Sequence, residues 1–173
     1  GVYMEKLLRK AALVMRSIGY EKGMVVYGKD SDTGYGMDEI SISGETRIIE
    51  FDHCVQSEYT LHPEDAGLKR VPFEEIASLS DTARESVRFV KVLTGASNTS
   101  CVDFTCLNAG AILYMAGKSD SLKKGVQLGR DAIESGRAIK KLRKWVMCQD
   151  SSDGKGLHRF ELLLKRLGVS LDI

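Results

Sequence analysis

The sequence predicts an α/β fold in which a mixed sheet is flanked by helices. An amphipathic pattern over Met4–Ile18 predicts a helix, and it is followed by Met24–Tyr27, a short apolar run typical of a strand buried on both faces. After Pro72 the pattern is mostly helical. With 173 residues, 43% of them hydrophobic, the chain is long enough to bury a core of its own.

The first third of the chain alternates strand patterns with turn signals. Gly19 is placed to end the first helix, and a polar, glycine-containing loop over Lys29–Gly36 leaves the first strand. Short strands are predicted over Ile40–Ile42, Arg47–Phe51 and Val55–Leu61 because their apolar residues partly alternate. We expect this part to be antiparallel and half exposed.

The later helical patterns share apolar stripes bounded by capping residues or glycines. They are predicted after Ser80 or Asp81, over Cys101–Ala116, after Ser119 or Asp120, over Arg137–Cys148, and over Leu157–Leu167. The Cys101–Ala116 helix is strongly apolar and is predicted to be buried. No internal repeat or second-domain boundary is evident.

Composition excludes several classes of protein. Lys and Arg number 25 against 24 Asp and Glu, so the net charge of +1 lacks the large positive excess expected when phosphate contacts dominate binding. Apolar runs are far shorter than the ~20 residues of a membrane-spanning helix. We therefore expect a soluble cytoplasmic protein that binds neither nucleic acid nor membrane, with its four cysteines reduced.

Asp38 and Glu39 are the strongest candidates for chemistry. They follow a glycine-containing loop beside the buried strand, and Mg²⁺ is usually held by one or two carboxylates together with water and substrate phosphates. If the strand Met24–Tyr27 is parallel, this loop lies where ligands bind in open α/β sheets. An Asp-Glu pair alone is more often a solvated loop end, and binding by both side chains requires an irregular backbone.

Other patterns favour structural roles. The three histidines have no zinc or triad spacing, and Cys101 and Cys106 fall on a buried helix. One predicted helix carries a cluster of basic residues, which is best explained as a solvated face that complements the helix dipole. The cluster comprises Arg137, Lys140, Lys141, Arg143 and Lys144. No glycine-rich phosphate loop is present.

The order of several segments resembles the carboxyl-terminal half of the anthranilate phosphoribosyltransferases, within the nucleoside-phosphorylase-like superfamily. The similarity covers about 1–142 and is carried by Gly1–Tyr3, Val25–Gly28, Gly36–Ser41, Gly44–Thr46, Tyr59–Leu68, Val92–Gly95, Leu107–Ala109, Leu113–Gly117 and Ser135–Ala138. Each segment is short, but their shared order makes a chance similarity improbable.

The resemblance implies a transfer of phosphoribose from phosphoribosyl pyrophosphate (PRPP) to anthranilate in tryptophan biosynthesis, with Mg²⁺ bound by Asp38 and Glu39. The family's phosphate-binding loops and anthranilate contacts belong to a preceding half, so no catalytic or substrate-binding residue is assigned here. The resemblance also implies a missing N-terminal half as partner, a homodimer when intact, and inactivity of this chain alone. Residues 1–149 then form part of the catalytic domain, and 150–173 a C-terminal helical extension.

Departures from the family pattern leave two alternatives open. The loop 29–35 is longer than usual, Met37 stands where Leu is common, and Tyr27 replaces a frequent His. The chain could therefore be part of a paralogue that acts on another acceptor or base. It could also be a non-catalytic, stand-alone interaction module that uses its extended last helix.

Overall fold

The computed structural model describes residues 1–150 and 154–169, which divide into two compact units. One unit comprises Gly1–Ala77 and Asp103–Gly129, and the other comprises Ser78–Val102 and the chain from Arg130 onward. The predicted boundary between 149 and 150 stays a prediction, and 151–153 and 170–173 of the predicted extension lie outside the described residues.

The described strands form one antiparallel sheet in the first unit. They are β1 (Lys22–Lys29), β2 (Gly36–Met37), β3 (Thr46–Asp52) and β4 (Val55–Leu61), in the spatial order β2-β1-β3-β4. β1 pairs with β3 along its length but with β2 only at Gly28 and Lys29. The α/β class is confirmed, whereas the parallel placement considered for the first strand is not found among the described strands.

The described residues form six α-helices: α1 (Leu8–Ser17), α2 (Thr82–Leu93), α3 (Thr99–Met115), α4 (Leu122–Glu134), α5 (Arg137–Gln149) and α6 (Lys155–Arg166). Asp81 caps α2 as predicted, since its carboxylate accepts from two amides of the first turn. α4 begins later than predicted, because the hydroxyl of Ser121 rather than a group of Ser119 or Asp120 accepts an amide of its first turn. None of the described helices combines the length and hydropathy needed to cross a bilayer.

The core of the first unit lies between α1 and one face of the sheet. Its buried members come from one stripe of α1 and from β1 and β3. They are Leu8, Ala12, Val25, Ile49 and Phe51. Burial of each large side chain stabilises the fold by about 1.5–3 kcal/mol. The amphipathic first helix and the two central strands are thus confirmed.

In the second unit the described parts of α2, α5 and α6 pack together. Val90, Ile139 and Leu164 form its buried centre. Arg143 on α5 donates two hydrogen bonds to the Glu161 carboxylate on α6, at 2.5 and 3.1 Å. The basic residues of α5 lie mainly on a solvated face, as expected.

α3 and α4 approach closely within the first unit, at residues 103–115 and 122–129. A Cβ atom at Gly125 would lie 2.4 Å from the carbonyl oxygen of Gly110, and one at Gly110 would lie 2.6 Å from the backbone nitrogen of Val126. Only glycine permits this backbone contact. The contact fixes the part of α3 that carries Asn108.

The strand predicted over Ile40–Ile42 is not formed. The Ser41 hydroxyl donates to the Lys29 carbonyl oxygen (2.9 Å) and accepts from the amides of Ser43 (3.1 Å) and Gly44 (3.0 Å). Such side-chain bonds to the backbone offer an alternative to a strand ladder. The segment between β2 and β3 is therefore irregular although it is buried at Ile40 and Ile42.

Candidate functional site

Asp38 and Glu39 lie together at a cavity of about 560 Å³ within the first unit. Both residues are exposed, in the irregular segment between β2 and β3. The remainder of the cavity wall is mostly apolar and includes Met15, Tyr20, Met24, Val26, Ile40, Ala111, Ile112 and Met115. The carboxylates thus meet the requirement stated from the sequence, an irregular backbone that allows both to serve one site.

Gly28 brings β1 into backbone contact with this acidic segment. A Cβ atom at Gly28 would lie 2.3 Å from the carbonyl oxygen of Glu39 and 3.0 Å from the backbone nitrogen of Ser41. Real Cβ atoms essentially never approach backbone atoms this closely. Any larger residue at position 28 would push the acidic segment away from the sheet.

The longer loop after β1 is closed by Asp30. Its buried carboxylate accepts from the hydroxyl and the amide of Thr33 and from the amide of Asp32. The hydrogen bond from the Thr33 hydroxyl is the main reason that the pKa of Asp30 lies below its ordinary value, although burial opposes it. The loop between β1 and β2 is therefore an ordered turn.

Asn108 of α3 binds the backbone directly after the acidic pair. Its side-chain oxygen accepts from the amide of Ile40 (2.9 Å), and its side-chain nitrogen donates to the carbonyl oxygen of Ile40 (3.0 Å). The same nitrogen donates to the carbonyl oxygen of Phe104 one turn earlier (3.1 Å). Asn108 also lines the cavity. In the sequence analysis Asn108 belongs to a segment that resembles the family, but no role is assigned to it. The one feature that could have indicated a role is a polar amide side chain within a strongly apolar helix.

The electrostatics of the pair favour a bound cation. Desolvation, and then the negative charge of Asp38, raise the pKa of the Glu39 carboxyl above its ordinary value. A cation between the two carboxylates would relieve this repulsion.

The donor set fits Mg²⁺ held jointly with a substrate. Within 1–150 and 154–169, no group of three or more His, Cys, Asp or Glu residues is placed to hold a metal ion. Two carboxylates are sufficient for Mg²⁺, which keeps several waters and takes substrate phosphate oxygens as further ligands. They would be insufficient for a structural zinc site, which needs four protein ligands.

The histidines and cysteines considered in the sequence analysis lie away from the acidic pair in sequence. His53 lies in the β3–β4 turn and hydrogen-bonds Asp52 (2.7 Å), and His158 lies on α6 in the other unit. The four cysteines, all within the described residues, form no disulfide, and Cys101 and Cys106 are buried, as expected. These positions agree with the structural roles predicted for them.

Comparison with known families identifies the class of this domain. The model of the glycosyl transferase family, a/b domain, matches residues 1–139. The chain therefore belongs to this glycosyl transferase family. The matched range contains the whole sheet and the acidic pair.

The relatives found within the family are anthranilate phosphoribosyltransferases. One from Polynucleobacter asymbioticus is 36% identical over 152 residues, which cover 88% of this chain and 42% of the relative. One from Rubrobacter xylanophilus is 34% identical over 157 residues, covering 90% of this chain and 44% of the relative. The chain thus spans about two fifths of the length of these relatives.

Solved structures agree with this assignment of the fold. Anthranilate phosphoribosyltransferase from Thermus thermophilus superposes with a TM-score of 0.68 at 30% identity, covering 95% of this chain and 42% of that one. The Saccharomyces cerevisiae enzyme in complex with PRPP and Mg has a TM-score of 0.67 at 20% identity, covering 96% of this chain and 42% of that one. The resemblance stated from the sequence is confirmed, and the chain corresponds to one part of such proteins.

Proposed function

We propose that this chain is the C-terminal part of a Mg²⁺-dependent phosphoribosyltransferase that transfers phosphoribose from PRPP to anthranilate. The observation that carries the proposal is the position of Asp38 and Glu39, side by side at one cavity in a domain of this family. The proposed acceptor, anthranilate, is that of the related enzymes. The yeast structure in complex with PRPP and Mg supports the proposed use of Mg²⁺.

In the proposed reaction, the amine nitrogen of anthranilate forms a bond to the anomeric carbon of the phosphoribosyl group. The bond from that carbon to the diphosphate oxygen breaks, the electron pair leaves with the diphosphate, and the nitrogen loses a proton. Bound Mg²⁺ would stabilise the negative charge that develops on the diphosphate. Asp38 and Glu39 would hold the cation.

Each carboxylate has a distinct part in this arrangement. Desolvation, and then the charge of Asp38, raise the pKa of the Glu39 carboxyl, and a cation bound by both carboxylates would oppose that rise. Asp38 supplies the second negative charge and the repulsion that a cation relieves. The pair orients the ion and takes no covalent part in the transfer.

We further propose that catalysis needs the polypeptide that makes up the rest of the relatives' length. This chain covers 42% of the Polynucleobacter relative, and the resemblance gives a functional role to the acidic pair alone. The contacts to the ribose, to the diphosphate and to anthranilate are assigned to that remaining part. On this proposal the chain alone binds metal but does not turn over substrate.

The fluorescence of anthranilate provides the test. The chain is assayed together with the polypeptide that supplies the remaining part, and the fluorescence is expected to fall only when both PRPP and Mg²⁺ are present. Turnover of another amine or base in place of anthranilate would establish the paralogue instead. Absence of turnover with every acceptor, although both polypeptides are folded and associated, would favour the interaction module.

A further inference from the structure

We infer that Asn108 is a positioning residue that holds Asp38 and Glu39 in place for metal binding by clamping the backbone of Ile40. The inference rests on the proposed metal role of the two carboxylates. It assigns a function to a residue of α3, which is distant in sequence from the acidic pair and has no charge of its own.

The clamp acts on the peptide unit that joins Glu39 to Ile40. The amide of Ile40 belongs to that unit and donates to the Asn108 oxygen, while the next carbonyl accepts from the Asn108 nitrogen. Because one of these hydrogen bonds is accepted and the other donated by the same side chain, they fix both the orientation of the Ile40 backbone and its distance from α3. The direction in which Glu39 leaves the backbone is thereby fixed too.

Both the side-chain oxygen and the side-chain nitrogen of Asn108 make hydrogen bonds. Its oxygen accepts one bond, and its amide hydrogens serve the carbonyl oxygens of Ile40 and Phe104. The bond to Phe104, within the same helix, fixes the side-chain rotation. Because asparagine is unfavourable inside an apolar helix, the tertiary contact accounts for its presence there.

The scaffold on either side of the clamp is rigid. Two residues after Asn108, the backbone of Gly110 contacts that of Gly125 on α4. On the side of the acidic segment, the amide of Ser41 donates to the buried Thr46 hydroxyl (2.9 Å). Asn108 therefore connects a fixed helix to a fixed segment, and movement of its side chain would be passed to Glu39.

Partners that orient metal ligands have a measurable signature. Loss of such a partner typically weakens metal affinity by about 10–100-fold while the ligands themselves remain. Asn108→Leu removes all three hydrogen bonds and keeps the branched shape of the side chain. The milder Asn108→Ser is too short to contact both groups of Ile40 and serves if the leucine variant does not fold.

Tyr114→Phe is the matched control. The Tyr114 hydroxyl donates to Glu50 of β3 (2.9 Å), so this variant also removes a hydrogen bond from α3 to the sheet, but none to the acidic segment. A merely structural effect of losing such a bond would be shared by both variants. A positioning effect would be confined to Asn108.

The experiment measures Mn²⁺ binding, as a paramagnetic stand-in for Mg²⁺, to the 173-residue chain, and amide exchange at Ile40. We expect Asn108→Leu or Asn108→Ser to weaken Mn²⁺ binding at least about tenfold and to accelerate exchange at Ile40. Tyr114→Phe should leave both unchanged. Circular dichroism verifies that each variant is folded.

Two failures are distinguishable. If the double variant Asp38→Asn/Glu39→Gln abolishes Mn²⁺ binding but Asn108→Leu and Asn108→Ser do not change it, the positioning role is overturned and the metal site stands. If the unaltered chain binds no Mn²⁺, or the double variant binds it as tightly as the unaltered chain, the proposed metal site is overturned together with this inference.

Discussion

Substituting Gly125 by alanine should destabilise the fold, whereas the same substitution at Gly129, one turn later in α4, should not. A Cβ atom at Gly125 would lie 2.4 Å from the carbonyl oxygen of Gly110, well inside ordinary contact. At Gly129 the nearest atom, the carbonyl oxygen of Cys106, would be 3.4 Å away. The two variants therefore make the same chemical change on one helix and differ in the space available.

The magnitude follows from two opposing effects. Alanine is more favourable than glycine inside a helix by about 0.8–1.0 kcal/mol, and by less in the first turn, where Gly125 lies. Overpacking typically costs about 1–3 kcal/mol, and the upper part of that range applies because the atoms that must move are backbone. Gly125→Ala should thus lower the free energy of unfolding by about 1–2 kcal/mol, and Gly129→Ala should raise it by up to about 1 kcal/mol.

Thermal and denaturant unfolding of the two variants and the unaltered chain provide the assay. For a chain of this size, 1 kcal/mol corresponds to about 2–4 °C in Tm, so the two variants, about 1–3 kcal/mol apart, should differ by about 2–12 °C. Equal Tm values for Gly125→Ala and Gly129→Ala would refute the close approach of α3 and α4. The same contact supports Asn108, so the Mn²⁺ affinity of Gly125→Ala should fall as well.

Two further predictions concern hydrogen-bonded side chains. Glu50 accepts from the hydroxyls of Tyr59 (2.8 Å) and Tyr114 (2.9 Å), so Glu50→Ala leaves two phenols unpaired and should cost about 1–3 kcal/mol in denaturant unfolding. Burial first, and then the bond to Glu50, raise the pKa of Tyr59, so its ultraviolet titration should shift to lower pH in this variant; an unchanged titration would contradict the assignment. The bond to Asp52 raises the pKa of His53, so protonated His53 contributes stability that is lost as pH rises from about 6.5 through the raised value, and at the acid end the pairing is lost as Asp52, whose pKa is lowered, becomes protonated. Asp52→Asn should lower the pKa of His53 in an NMR titration, and no change would exclude the pairing.

Much of the fold could be predicted from the sequence because its helices and strands have strong local periodicity. The stripe of α1 and the capping carboxylate of Asp81 are local signals, and both are present in the structure. The segment Ile40–Ile42 was predicted wrongly because its apolar alternation is that of a strand. Its conformation depends instead on the Ser41 hydroxyl, whose backbone partners include Lys29, twelve residues earlier.

The candidate site was predictable only in part. The Asp38-Glu39 dipeptide by itself is ambiguous, and its interpretation depended on the resemblance of the surrounding segments. The contacts that hold it were not predictable, because Asn108 reaches Ile40 across 68 residues and Gly28 reaches Glu39 through the fold of the sheet. Long-range contacts of this kind have no local pattern.

If Asp38 and Glu39 hold the Mg²⁺ of a phosphoribosyl transfer, their neutralisation must change how turnover depends on the Mg²⁺ concentration. The measurement is the Mg²⁺ concentration for half-maximal loss of anthranilate, with the chain completed by the remaining part of the enzyme. Asp38→Asn/Glu39→Gln should raise that concentration at least about tenfold. Neutralising a second adjacent pair of exposed acids, as Glu74→Gln/Glu75→Gln, should leave it unchanged. Equal Mg²⁺ dependence in the two double variants would contradict the account.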